Sequence, residues 1–512
     1  MRLEWIKLLT NYKILNKDQI FLFGNNEVQA IAGVNGSGKS ILLELIIRIF
    51  LEASNQITRE NYSSKVGFEI KYSLFKDYMI NSIIDGIGGA WEDKERVFVR
   101  ILNYETVFQL WISNGIQEYE ITNIDYLYVF FPRKIIAYSS GHNECISDEI
   151  YNFRLFSITE RDNTRFKRNN YGEVINKKTL ELYNELFYYI SDKTSNLALL
   201  TTFLYESKKC DFLKCFLKDV RVKSFVIRFD NKDISGKEIT FDEKVTFLLK
   251  ELNKIQHTKH SSKYGFDYYV YTLEENAIEY RTSLMPIFEG FQRLYDYNNK
   301  KVRKRTINSI INSSDGNKNS FVEWNIGNNR VFELLDVQFY TINDYEIDIK
   351  AFSDGEYQVM QIISILRIFN GNNNLFLFDE PETHFNPSWK SLFVLLIKNL
   401  LDANSQLLFS THNPEVLTDL YKTDVISITQ GVQSNIQFET FGANPNIISA
   451  NLFDKKYTIS ELAKERIVEF RKKINESQGK EELELLKSEI ENMLGDSSEK
   501  LMLLIEIQKR VQ

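Results

Sequence analysis

The sequence predicts a mixed α/β fold with a glycine-rich loop between a core strand and a core helix, and three observations carry that expectation. The octapeptide Gly33-Val34-Asn35-Gly36-Ser37-Gly38-Lys39-Ser40 stands between the strand-like run Val28–Ala32 and the helix-like apolar run Ile41–Phe50. A second apolar run, Leu375-Phe376-Leu377-Phe378, leads directly into the carboxylates Asp379 and Glu380. A third, Gln406–Ser410, ends in Thr411-His412-Asn413-Pro414. Short apolar runs bounded by polar loops read as buried strands, and a strand, a glycine loop and a helix in succession form the local unit of an α/β sheet.

At 512 residues the chain is too long for one ordinary core, so two lobes or domains are expected. A hydrophobic content of 43% with 26% charged residues places it among soluble globular proteins. The net charge of −7 gives no global attraction to nucleic acid, so any such contact needs a local basic patch. Cys145, Cys210 and Cys215 are few and odd in number, which suits a reducing compartment. The start Met1–Ile6 has no leader character, and no apolar run is long enough to span a bilayer. A cytoplasmic protein with no membrane contact is expected.

Residues 1–32 read as strands at Glu4–Leu9, Gln19–Phe23 and Val28–Ala32, separated by the turns Asn16-Lys17-Asp18 and Gly24-Asn25-Asn26. The octapeptide fits G-x-x-x-x-G-K-[ST] at every fixed position. Its glycines let the backbone wrap a phosphate chain, with free N–H groups and the helix dipole aimed at the oxygens. Lys39 would neutralise the β/γ-phosphates and Ser40 would offer its hydroxyl to Mg²⁺, while Gly33, Asn35, Gly36, Ser37 and Gly38 form the cradle. The bland alternative is a glycine-rich turn in a core. Further strands are expected at Lys65–Leu74, Arg96–Asn103 and Thr106–Ile112, as an antiparallel sheet with one solvated face. The strand Lys134–Tyr138 ends in the polar stretch Ser139–Glu144, which is either a ligand-contacting loop at a strand end or a solvent loop.

From about 148 to 345 the pattern changes to helix-like segments, Thr179–Ile190, Asn196–Lys208 and Phe241–Ile255, which read as a mainly helical insertion between two halves of a sheet. It holds the dense basic run Lys300, Lys301, Arg303, Lys304, Arg305 and a looser one at Arg161, Arg165, Lys167 and Arg168. Such runs either track a phosphate backbone or are solvated surface. After the insertion, Ser353 is a natural N-cap and Gly355 opens the helix that follows, giving a second set of anion-facing donors. One nucleotide needs only one cradle, so the second would serve a nucleotide held by another subunit. Asp379 would enter the Mg²⁺ shell and Glu380 would face the attacking water. A lone histidine is more often structural than catalytic, but His412, at the end of the next strand, is at a position from which an imidazole could sense a γ-phosphate.

Gly33–Ser40, Phe352–Gln358, Leu375–Glu380 and Ser410–Pro414, in this order, resemble the ABC-type ATPase heads of the SMC and RecF-like class. The resemblance implies ATP and Mg²⁺ as cofactors, a Ser and Gly acting in trans, and a homodimer or higher homo-oligomer formed through ATP-bound heads. Asp354 and Glu356 depart from the Gly and Gln usual in transporters. Ile135–Glu144 with Thr440–Pro445 is similar to ATPases of bacterial antiphage systems, of restriction-associated, retron or Septu type. That implies a nucleotide-gated regulator controlling a separately encoded nuclease or effector, with a DNA-repair ATPase and a scaffold timed by hydrolysis as alternatives. The expected division is 1–147 and 346–450 for the halves of the head, 148–345 for the insertion and 451–512 for a helical tail. In the tail, Ile467, Phe470 and Ile474 form one apolar stripe and Leu483, Leu486, Ile490 and Met493 another, suited to packing on the head or to a partner.

Overall fold

The computed structural model describes residues 1–58, 65–87, 95–141, 185–206, 220–262, 266–273, 283–303, 329–341, 345–455, 459–477 and 479–511, with a few single positions between them. The chain forms two units, Met1–Pro445 and Asn446–Gln512.

The first unit starts with β1 (Arg2–Leu8), β2 (Ile20–Leu22), β3 (Val28–Ala32) and α1 (Lys39–Thr58). Then come β4 (Phe68–Phe75), α2 (Tyr78–Ile87), β5 (Arg96–Tyr104), β6 (Val107–Ser113), β7 (Glu118–Glu120), α3 (Ile124–Leu127) and β8 (Ile135–Ser139). The middle carries β9 (Phe187–Ile190), α4 (Asp192–Glu206), β10 (Arg221–Phe229), α5 (Glu243–Leu252), β11 (His257–Ser261), β12 (Asp267–Thr272), α6 (Leu284–Asp296), β13 (Phe332–Tyr340) and β14 (Glu346–Asp348). The last part is α7 (Asp354–Ile368), β15 (Leu375–Asp379), α8 (Pro387–Lys390), α9 (Phe393–Leu400), β16 (Gln406–Thr411), α10 (Pro414–Leu417), β17 (Val425–Thr429) and β18 (Val432–Ser434).

A central sheet runs β18-β17-β3-β16-β15-β8-β9. Every pairing in it is parallel except β17 with β18. β3, β15 and β16 are buried at every position, which is why they read as mostly apolar runs: helices cover both faces of a parallel sheet. A six-stranded antiparallel sheet, β2-β1-β4-β5-β6-β7, forms the expected antiparallel subdomain. In β5 buried residues alternate with half-buried ones, the signature of a sheet with one face on the core. This is the mixed α/β architecture that the sequence predicts.

The segment between the halves differs from expectation. Beside α4, α5 and α6 it carries a five-stranded antiparallel sheet, β11-β12-β10-β13-β14, so among the described residues it mixes helix and strand. Phe187–Ile190, expected as the end of a helix, is the edge strand β9 paired parallel to β8. These strands are short or interrupted by charged residues, as in Arg221-Val222-Lys223-Ser224-Phe225, and the pairing of β10 with β13 includes two register shifts that break clean alternation. Residues 179–184 and 207–208 of the expected helices lie outside the described residues.

The second unit contains α11 (Pro445–Leu452, starting one residue before it), α12 (Glu461–Glu476), α13 (Lys480–Met493) and α14 (Ser498–Val511). Ser460 caps α12 by accepting from the Ala463 N–H. Both predicted stripes pack on each other and on Leu503 and Ile507 of α14. Met493 alone of the predicted set is exposed. Among the described residues no helix is long and apolar enough to cross a membrane.

Candidate nucleotide site

The carboxyl ends of four neighbouring parallel strands converge. Thr411 of β16 is in register with Ala32 of β3, Ser410 with Asp379 of β15, and Asp379 with Ser139 of β8. In α/β sheets this is where ligands bind, because the loops leaving the strands form a crevice there.

The Gly33–Gly38 loop leaves β3 and turns into α1 at Lys39. Gly38 takes φ +109°, a conformation that L side chains rarely adopt, which is the local reason the pattern needs glycine there. Asn35 and Gly36 stand exposed at the tip. The first turn of α1 has no acidic residue to compete for its N–H groups. Lys39 is 5% exposed, and its Nζ donates to the carbonyls of Gly33 at 2.9 Å and Val34 at 3.3 Å. Burial holds its ammonium below the ordinary lysine value, against the pull of Glu380, Asp379 and Glu382. Ser37 Oγ is buried without a hydrogen-bond partner among the described residues, so the loop keeps a hydroxyl that a phosphate oxygen would satisfy.

Asp379 meets Ser40 across most of the chain: Ser40 Oγ donates to Asp379 Oδ1 at 2.9 Å. Ser410 Oγ donates to the same oxygen and in turn accepts from the Glu380 N–H at 3.0 Å. A hydroxyl and a carboxylate side by side are hard oxygen donors of the kind Mg²⁺ takes, so these residues fit the ion. Glu380 has φ +48°, an uncommon conformation for a residue with a side chain, held by that Ser410 bond. Its Oε1 lies 3.0 Å from His412 Nδ1. The bond to His412 holds the Glu380 carboxyl below its ordinary value, and the bond to Glu380 raises the His412 imidazole above its own.

Ser140 lies against the end of β15. Its N–H donates to the Asp379 carbonyl at 3.1 Å and its hydroxyl to the Glu380 carbonyl at 2.6 Å, so the stretch after β8 adjoins Asp379 and Glu380. His142, Asn143 and Glu144 lie outside the described residues.

Ser353 and Gly355 are placed elsewhere on the unit. Ser353 caps α7, and the Glu356 carboxylate reaches back to its N–H at 2.9 Å and its hydroxyl at 2.8 Å, a full capping box. A Cβ on Gly355 would stand 2.7 Å from the His384 carbonyl, so the helix start lies close against the turn after Glu380. Among the described residues no hydrogen bond joins Ser353 to the Lys39–Asp379 cluster. Further along α7, Gln361 accepts from Tyr138 of β8 and donates to Ser195 of α4, both at 2.9 Å.

The basic run is not uniform surface. Lys301 is buried, its Nζ 2.6 Å from Asp230 Oδ2, so it is a structural partner and does not reach a phosphate backbone. Arg303 and Arg305 are exposed; Lys304 and the looser run at 161–168 lie outside the described residues.

The sequence reading missed Ser410, Thr411 and Glu382. Thr411 Oγ1 donates to Glu382 Oε1, with both side chains buried. Burial pushes the Glu382 carboxyl up to about 7. A second glutamate so soon after Asp379-Glu380 was the available signal, but surface turns carry acids too often for it to stand out.

Comparison with known proteins gives partial matches. The family described as "AAA domain, putative AbiEii toxin, Type IV TA system" matches residues 221–418, which include Ser353, Gly355, Asp379, Glu380 and His412 and begin well after the glycine loop. Protein ea59 of Escherichia phage lambda is 34% identical over 106 residues, 20% of this chain. The chain covers 20% of the length of that relative. Among solved structures, an Smc head bound to the C-winged helix domain of ScpA is 13% identical over 86% of this chain and 98% of its own, with a TM-score of 0.35. The SMC head domain from Thermotoga maritima is 11% identical over 86% of this chain and 100% of its own, with a TM-score of 0.32. The chain is therefore similar over residues 221–418 to that AAA-domain family.

Proposed function

We propose that the protein is a Mg²⁺-dependent ATPase whose two heads close on nucleotide. The observation that carries this reading is the 2.9 Å bond from Ser40 to Asp379, with the Glu380–His412 pair beside it. The loop Gly33–Gly38 and the N-terminus of α1 bind the phosphates, and Lys39 exchanges its bonds to Gly33 and Val34 for phosphate oxygens. Mg²⁺ held by Ser40 and Asp379 would neutralise charge on the β- and γ-phosphates. Glu380 orients the attacking water and accepts its proton, with His412 fixing the carboxylate and facing the γ-phosphate. Ser353 and the open start of α7 complete the site of a second copy.

In the cell this ATPase acts as a nucleotide-gated regulator in antiphage defence, controlling a separately encoded effector. That reading draws on the motif resemblance, on the toxin–antitoxin description of the matching family and on the phage relative. The test of the core claim is calorimetry with Mg-ATP on wild type and Lys39→Ala. The variant loses the cation that faces several phosphate charges and should bind at least about 100-fold more weakly, since charge-assisted bonds to phosphate are strong. Equal affinity would remove the loop from the site.

A further inference from the structure

Glu382 is the buried acid that the reaction above leaves unused. Its side chain is 2% exposed, and Oε2 has no hydrogen-bond partner among the described residues. Placing a carboxyl there is costly, and an apolar side chain would fill the space without that cost. Its own turn does not need it, since the Thr383 N–H donates to the Glu380 carbonyl at 3.3 Å and the Phe385 N–H to the Glu382 carbonyl at 3.1 Å. Its side-chain bond crosses instead to the end of β16, where Thr411 Oγ1 donates to Glu382 Oε1.

Thr411 is fully buried, and its hydroxyl works in both directions. It gives its proton to Glu382 and accepts from the Asn413 N–H at 2.9 Å. Those two bonds bracket His412 in the chain, and His412 holds Glu380 through Nδ1 at 3.0 Å. We propose that Glu382 and Thr411 form a positioning bridge that sets the imidazole of His412 against Glu380. This rests on the reading of Glu380 and His412 given above, and it names two residues that touch neither substrate nor metal but decide the geometry of the pair that does. The turn carrying Glu380 and the strand end carrying His412 are separate pieces of backbone, and the bridge joins them inside the protein.

The experiment compares Thr411→Val, Thr411→Ser, Glu382→Leu and Glu382→Gln in the full chain. Valine keeps the branched shape of threonine without the hydroxyl, and serine keeps the hydroxyl. Glutamine keeps the acceptor and the size of glutamate; leucine removes the acceptor. Thr411→Val and Glu382→Leu should lose about 10-fold to 100-fold in kcat with the affinity for Mg-ATP within about twofold, because a small misplacement of a reacting group has effects of that order. Thr411→Ser and Glu382→Gln should restore most of it. A second readout needs no turnover: long-range ¹H–¹⁵N spectra of the five imidazoles, with His412 assigned by its loss in His412→Asn. The Nδ1 resonance of His412 should move in Thr411→Val and stay in Thr411→Ser. If Thr411→Val does not fold, Thr411→Ala takes its place. An unmoved His412 resonance in the hydroxyl-free variant overturns the bridge even if the wild type proves to be an active ATPase. A moved resonance in a wild type without turnover keeps the bridge and sinks the ATPase reading.

Discussion

Replacing Glu380 by glutamine separates chemistry from stability more sharply than any other single change. The side chain keeps its size and still accepts from His412 Nδ1, now without a charge. The pair is only half protected, with Glu380 31% and His412 48% exposed, so solvent screens it and its worth to folding is about 0–1 kcal/mol. The Ser410 bond to the Glu380 N–H, which holds the left-handed backbone, does not involve the side chain and survives. The melting temperature should therefore barely move. Hydrolysis loses the group that takes the proton of the attacking water, an effect of about 100-fold to 10,000-fold on kcat. Mg-ATP affinity should hold or rise, since a negative charge near the phosphates is gone. The assays are single-turnover hydrolysis, calorimetry with Mg-ATP and a thermal melt on one preparation. Wild-type turnover in Glu380→Gln would refute the assignment, and a large loss of stability would refute the picture of a half-exposed, dispensable ion pair.

Lys301→Ala should destabilise the first unit by about 3–5 kcal/mol, read by chemical denaturation, because it leaves the largely buried Asp230 carboxylate without its cation. Neutralising the exposed Arg303 and Arg305 should leave stability unchanged, and a flatter salt dependence of DNA binding would mark them as phosphate contacts. Gly355→Ala sets a methyl 2.7 Å from a backbone carbonyl and should cost about 1–3 kcal/mol in a melt, with Mg-ATP affinity at the glycine loop intact. For the Glu380–His412 pair the signs are opposite on the two sides. The raised imidazole contributes stability fully below its unfolded value of about 6.5 and loses it as pH rises through the folded value; the depressed carboxyl contributes above about 4.3 and loses it as pH falls. The stability difference between wild type and His412→Asn should thus be larger at about pH 5.5 than at about pH 8.5.

What could be read from the sequence follows from how local each signal is. The glycine loop, the apolar strand into Asp379-Glu380 and the strand into Thr411-His412 each declare themselves within a few residues, and the parallel sheet brings their ends together as the order of motifs implies. Ser353 as a cap was equally local, and Glu356 completes the capping box that it starts. The five-stranded sheet of the insertion was hidden because β10 depends on partners at least 38 residues away, on β12 and β13, and its shifted register blurs the alternation. The burial of Lys301 was hidden for a similar reason: a run of lysines and arginines looks solvated until Asp230 is placed against one of them. Ser410 and Glu382 owe their roles to cross-strand geometry, with Ser410 opposite Asp379 and Glu382 reaching Thr411, and nothing in their own neighbourhoods announces it.

If the composite site exists, nucleotide joins two copies through the start of α7. In Glu380→Gln, light scattering with Mg-ATP should show a mass twice that found without it. Adding Ser353→Arg should return the mass to the nucleotide-free value while calorimetry still finds ATP in the glycine loop, since the arginine is placed on the exposed cap and not among Lys39, Ser40 and Asp379. Unchanged ATP-dependent association in the double variant, or no association in Glu380→Gln itself, would contradict it.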